Sequence, residues 1–124
     1  MKLLLDTHAV LWALEDSPLL SPTARRAIED SSNEVIVNAA SAIEIAIKRS
    51  LGKLRAPADL LGAAKDAGFI TSAIGFSEAA VLETLPWHHN DPFDRLLVAH
   101  ALVAGIPIVT RDPQIARYQI QVVW

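Results

Sequence analysis

Short runs of apolar and β-branched residues, each too brief to make a helix, alternate along this 124-residue chain with segments of helical period. Lys2 to Leu5 reads as a buried strand, and Thr7 to Glu15 carries Val10, Leu11 and Leu14 at helical spacing. Ser21-Pro22-Thr23 opens a second helix, running to about Asp30, with proline in its first turn. Glu34 to Asn38 is a β-branched strand; Ser41 then starts a helix through Arg49, which Gly52 closes with a left-handed residue. Pro57 to Ala67 reads as a helix ended by Gly68, Phe69 to Ile74 as a short strand, and Ser77 to Leu85 as a helix stopped by Pro86. After the Trp87-His88-His89-Asn90 loop comes the longest helix, Pro92 to Ala104, ended by Gly105. Ile106 to Thr110 returns as a strand, Asp112-Pro113 opens one more turn, and a last strand falls near Gln119 to Val123. This rhythm predicts an α/β fold, a three-layer α/β/α sandwich around a mainly parallel central sheet.

The length suits one compact core, so residues 1–124 are expected to form a single domain. A hydrophobic fraction of 52% allows both a well-filled core and apolar surface left for a partner. No apolar run approaches the roughly 20 residues that span a bilayer, and Asp6 interrupts the leucines of the opening, so no membrane anchor is expected. The absence of cysteine excludes disulfides, thiolate metal sites and a cysteine nucleophile, and makes a reducing cytoplasm the expected compartment. A net charge of −3 argues against a general nucleic-acid coat protein. The one dense basic stretch is Lys48, Arg49, Lys53 and Arg55.

In parallel sheets with right-handed crossovers, ligands bind beyond the carboxyl ends of the strands. Asp6 and Asp112 lie just past such ends, and Glu44 and Asp94 lie in the first turns of helices expected to begin at the same edge. Each acid also has a purely local reading. Ser41-Ala42-Ile43-Glu44 fits a capping box, Glu44 can pair with Lys48, and Asp6, Asp91 and Asp112 can cap helices. Asp6 is the hardest to explain locally, because it ends a buried strand where a carboxylate needs a partner. Gathered at one edge, four carboxylates repel one another and call for a hard cation such as Mg²⁺ or Mn²⁺, which takes oxygen ligands. That points to metal-assisted cleavage of a phosphodiester. The histidines offer no zinc pairing: His8 and His100 fall in helices and His88-His89 in a loop, so surface or packing roles are expected.

Four segments carry a resemblance to a known family: Leu3-Leu4-Leu5-Asp6-Thr7-His8, Glu44-Ile45-Ala46-Ile47-Lys48 with Leu51-Gly52-Lys53-Leu54, Asp91-Pro92-Phe93-Asp94-Arg95-Leu96-Leu97, and Ile108-Val109-Thr110-Arg111-Asp112. In that order, over almost the whole chain, they resemble the PIN domain family, and specifically its VapC-like toxin ribonucleases. The resemblance implies that Asp6, Glu44, Asp94 and Asp112 are catalytic, metal-binding acids, with Asp91 a helix cap. It implies a Mg²⁺- or Mn²⁺-dependent endoribonuclease acting as the toxin of a toxin–antitoxin pair, a homodimer inhibited by a cognate antitoxin. Ile43 departs from the family's frequent aromatic, and Asn90 from its frequent basic residue.

Around the acids, Thr7 and Thr110 are placed to orient water or a carboxylate, and Arg95 and Arg111 to contact phosphate or form salt bridges. Lys48, Arg49, Lys53 and Arg55 are candidates for an RNA backbone, set against a basic helix end that complements the dipole. Trp12 and Trp87 are candidates for base stacking or for core packing. Two other functions compete. A catalytically silent PIN-fold module binding protein or RNA would not need the clustered acids. A phosphoacceptor receiver domain needs paired acids after the first strand and a late lysine, where this chain has Asp6 alone and Thr110-Arg111.

Overall fold

Residues 1–124 are described by a computed structural model. In chain order the elements are β1 (Lys2–Leu5), α1 (Thr7–Leu14), α2 (Pro22–Glu29), β2 (Glu34–Asn38), α3 (Ala39–Ser50) and α4 (Leu60–Asp66). There follow β3 (Ile70–Ser72), α5 (Phe76–Thr84), α6 (Pro92–Ala104), β4 (Ile108–Val109), α7 (Pro113–Ala116) and β5 (Val122–Val123). The strands form one five-stranded sheet of order β3-β2-β1-β4-β5. Every neighbouring pair is parallel, with Leu3 opposite Val35 and Leu4 opposite Ile108.

Successive side chains of a strand point to opposite faces, so a strand covered on both sides must be apolar throughout. β1 meets that demand: Leu3, Leu4 and Leu5 are all fully buried. Leu3 and Leu5 join Val35, Val37 and Val109 in a layer closed by Ala9 and Val10 of α1, Ala24 of α2 and Ala64 of α4. Leu4 joins Ile36 and Ile108 on the other face, under Ala40 of α3, Leu97, Val98 and Ala101 of α6, and Ile115 of α7. Burying each leucine contributes about 2 kcal/mol. The result is the three-layer α/β/α sandwich that the alternation implies.

From β1 the chain winds outward through β2 to β3, then returns to the other side of β1 to lay down β4 and β5. The winding therefore reverses between β1 and β4, and a crevice opens at their carboxyl ends, where such sheets bind ligands.

Several boundaries differ from the sequence expectation, for identifiable reasons. α3 starts at Ala39, directly off β2, because the Asn38 side chain accepts from the Ala40 amide and caps it. Ser41 is thus inside the helix, and the Ser41–Glu44 capping box does not form. α4 is shorter than Pro57–Ala67, because Asp59 caps it by accepting from the Gly62 amide. The Phe69 and Ile106 amides close the preceding helices by donating to Ala64 and Ala101, so β3 and β4 begin later than expected. Gln119 takes a left-handed φ of 56°, which turns the chain and delays β5 to Val122. α6 matches its expected bounds, with Pro92 at its start and Gly105 left-handed at its end.

Candidate active site

Asp6 leaves β1 and caps α1. Its Oδ1 accepts from the Ala9 amide at 2.7 Å and its Oδ2 from the Thr110 hydroxyl at 2.5 Å. Thr110 stands beside Asp6 because β1 and β4 pair with Leu5 opposite Val109, and the Asp6 amide donates to the Val109 carbonyl. The same hydroxyl accepts from the Asp112 amide at 3.0 Å, so one threonine ties the ends of both strands together. Asp112 in turn caps α7 by accepting from the Gln114 amide at 2.9 Å.

Glu44 sits in the second turn of α3 and is buried. Its Oε1 accepts from the Thr7 hydroxyl at 2.6 Å, and its Oε2 pairs with Lys48 Nζ at 2.5 Å, one helical turn on. Asp94 sits in the first turn of α6, where Asp91 caps the helix by accepting from the Phe93 and Asp94 amides. Asp94 Oδ2 is bonded to His89 Nε2 at 3.2 Å.

These acids feel one another. Burial pushes the Asp94 carboxyl up to about 6, with Asp91, Asp112 and Asp6 adding repulsion and the His89 bond opposing it. Burial also raises Asp6, to which Asp112 adds, while Thr110 and the Ala9 amide pull the other way. Lys48 is held charged above its ordinary range, first by Glu44 and further by Asp91 and Asp94. The structure thus brings Asp6, Asp94 and Asp112 within electrostatic reach at the switch point, with Glu44 tied to them through Lys48. A groove of about 290 Å³ lined by Asp6, His8, Arg111, Asp112 and Pro113 opens beside them. An all-oxygen donor set whose members oppose one another's ionisation fits a hard divalent cation. No three of the side chains converge as a finished cage; each carboxylate has its own protein partners, helix amides for Asp6 and Asp112, hydroxyls for Asp6 and Glu44, Lys48 for Glu44 and His89 for Asp94.

The family model of the PIN domain matches residues 3–121. The chain belongs to the PIN domain family. No protein of curated function matches it in sequence. This PIN domain is similar in fold to VapBC2 from Rickettsia felis, solved bound to a DNA fragment from their promoter, with a TM-score of 0.72 at 12% identity over 98% of this chain and 97% of that one. It is similar also to DNA-bound VapBC from Salmonella typhimurium, with a TM-score of 0.71 at 17% identity, covering 98% and 96% of the two chains. FitAcB from Neisseria gonorrhoeae gives a TM-score of 0.60 at 18% identity, covering 97% and 95%. At these identities the likeness is one of fold.

Within the PIN domain, the basic residues separate. Arg95 is not at the groove: it is 3% exposed, donating to the Leu85 and Pro86 carbonyls and the Tyr118 hydroxyl, with its guanidinium 3.7 Å from the Trp87 ring centre. The expectation of a phosphate contact there is corrected: the guanidinium is buried under Trp87 and spends three of its five N–H groups on protein acceptors, so it does not face a ligand in the groove. Arg111 remains exposed beside the groove, its guanidinium 4.5 Å from the Trp12 ring centre. Arg49 and Lys53 are exposed at the end of α3, and Arg49 reaches the Ala58 carbonyl at 3.4 Å. Thr7 and Thr110 each orient a carboxylate.

Sequence reasoning missed His89. Read as a surface or packing residue, it instead contacts Asp94, five positions on. The loop before a capped helix was visible, but nothing in the spacing said that Tyr118 would hold the ring from across the fold.

Proposed function

We propose that residues 1–124 act as one domain and as a Mg²⁺- or Mn²⁺-dependent endoribonuclease, the toxin of a toxin–antitoxin pair. The observation that carries this reading is the placement of Asp6 and Asp112 on either side of the Thr110 hydroxyl at the β1/β4 switch point of a PIN domain, with Asp94 near enough for their charges to oppose its ionisation. Similarity in fold to the VapBC structures supports the toxin role and a cognate antitoxin as partner. The high apolar content agrees with homodimer and antitoxin surfaces, and the lack of any helix long and apolar enough to cross a membrane agrees with action in the cytoplasm.

Asp6, Glu44, Asp94 and Asp112 would hold the ion. Once bound, Mg²⁺ or Mn²⁺ supplies a lowered pKa for water and offsets charge on the phosphate. The chain's own contribution is to orient and balance. Thr110 fixes Asp6 against β4, and Thr7 fixes Glu44 against α1. Lys48 neutralises Glu44 and moderates the charge of Asp91 and Asp94, so the acids can be packed without collapsing the site. Arg111 at the groove and Arg49 and Lys53 on the α3 end offer salt-sensitive contacts to an RNA backbone.

Purified protein is expected to cleave RNA with Mg²⁺ or Mn²⁺ and not with EDTA. Asp6→Asn should lower the rate by at least about 100-fold while leaving the circular dichroism spectrum unchanged. Equal cleavage by that variant removes the proposed chemistry. A second reading, a silent PIN-fold binding module, draws on the carboxylates' being held by protein donors with no finished cage. RNA binding without metal-dependent turnover would favour it.

A further inference from the structure

His89 lies in the loop before α6, with its two ring nitrogens committed in opposite directions. Nε2 stands 3.2 Å from Asp94 Oδ2, and Nδ1 stands 2.7 Å from the Tyr118 hydroxyl. The other contacts of that hydroxyl settle which nitrogen bears the proton. Arg95 Nη1 donates to the Tyr118 oxygen at 3.0 Å, and the His89 amide donates to it at 3.3 Å. A phenol has two acceptor positions and a single proton. With both acceptor positions taken, the proton is what Tyr118 has left to offer. His89 Nδ1 is its nearest acceptor, the His89 carbonyl lying farther away at 3.4 Å. Nδ1 therefore accepts, and the neutral ring carries its hydrogen on Nε2, aimed at Asp94.

Arg95 is itself immobilised by the Leu85 and Pro86 carbonyls, and the His88 and Tyr118 rings pack in a T-shaped pair. A chain of hydrogen bonds thus runs from a buried arginine on α6, through a tyrosine after α7 and a loop histidine, back to a carboxylate in the first turn of α6. Nothing in the reading of the acids as ligands requires this chain. Partners of this kind fix the orientation of a metal's ligands, and their loss commonly weakens binding by about 10- to 100-fold.

We propose that His89 is a positioning residue for the metal site: held by Tyr118, it pins Asp94 Oδ2 and leaves Oδ1 as the oxygen offered to a cation. This rests on the reading of Asp94 as a metal ligand. Two amide substitutions divide the imidazole's two bonds. Glutamine places its amide nitrogen near Nε2 and keeps a donor for Asp94. Asparagine places its amide near Nδ1 and keeps the contact with Tyr118 alone.

Mn²⁺ binding to the full chain, followed by electron paramagnetic resonance, should weaken about 10- to 100-fold in His89→Ala and His89→Asn and stay within about threefold of wild type in His89→Gln. A residue that merely anchors the loop through Tyr118 would give the reverse order, with asparagine the better rescue; that result, or equal binding by all three variants, overturns the proposal. A second readout uses the metal-free protein: imidazole ¹⁵N shifts should report the Nε2–H tautomer at His89 and its loss in Tyr118→Phe. An Nδ1–H tautomer in the wild type overturns the relay whether or not metal binds. Wild type that takes up no Mn²⁺, or Asp94→Asn that binds it undiminished, overturns the assignment of Asp94 and the positioning role with it. Mn²⁺ uptake that depends on Asp94 but not on His89 overturns the positioning role alone.

Discussion

Asp94 keeps its proton to about pH 6, against an ordinary value of 3.8, because burial and the neighbouring charges of Asp91, Asp112 and Asp6 oppose ionisation. Between those two values the folded protein binds more protons than the unfolded chain, so this group's contribution to stability falls as pH rises through the window and stays low above it. Asp94→Asn removes the charge and still offers His89 an acceptor. In EDTA it should melt higher than wild type at about pH 7.5, and the difference should shrink below about pH 6 and vanish near pH 4. Melting curves of the two proteins across that range check this, and a difference independent of pH would contradict it. Arg95 makes the opposite case, a charge stabilised by three acceptors. Arg95→Met strands the Leu85 and Pro86 carbonyls and should cost about 3 kcal/mol in urea unfolding, since an unpaired buried group costs about 1–3 kcal/mol.

α6 shows how far local chemistry fixes an element. Asp91 caps it, Pro92 needs no amide partner in the first turn, and Gly105 ends it with φ of 66°. A methyl group at Gly105 would meet nothing within 4 Å, so Gly105→Ala isolates backbone strain. It should cost about 1 kcal/mol in equilibrium unfolding, and Gly105→Asn should cost less, because asparagine tolerates the left-handed region better. A loss much above that for alanine would mean the site is sterically tight. α3 is the contrasting element. Its cap, Asn38, is the last residue of β2, so strand passes to helix with no break in composition for the sequence to signal. Asn38 also donates to Ser72 at the end of β3, a contact no local pattern encodes.

At the scale of the whole molecule, the sheet order places the ends of β1 and β4 side by side and thereby gathers acids 106 positions apart in the chain, Asp6 and Asp112, around one hydroxyl. A ligand that binds only this assembled arrangement stabilises the entire fold. Mn²⁺ at 100 times its dissociation constant should add about 2.7 kcal/mol, which for a domain of this size is a rise of about 10 °C in melting temperature. Scanning calorimetry with Mn²⁺ and with EDTA measures it, and Asp6→Asn should abolish most of the shift. A rise of the same size in that variant would show that the ion binds elsewhere.

The sequence by itself determined the alternation of strand and helix, the parallel sheet buried on both faces, the caps of α1, α6 and α7, and which carboxylates stand at element ends. Those features follow from propensities, periodicity and capping, which act over a few residues. Only the tertiary structure decided that Arg95 turns inward, that Glu44 divides its oxygens between Thr7 and Lys48, and that His89 is gripped by Tyr118 and aimed at Asp94. In each case a polar group was taken wholly or partly out of water and had to find its partner in space. Except for the Glu44–Lys48 pair, one helical turn apart, that choice depended on how the layers packed rather than on the neighbours in the chain.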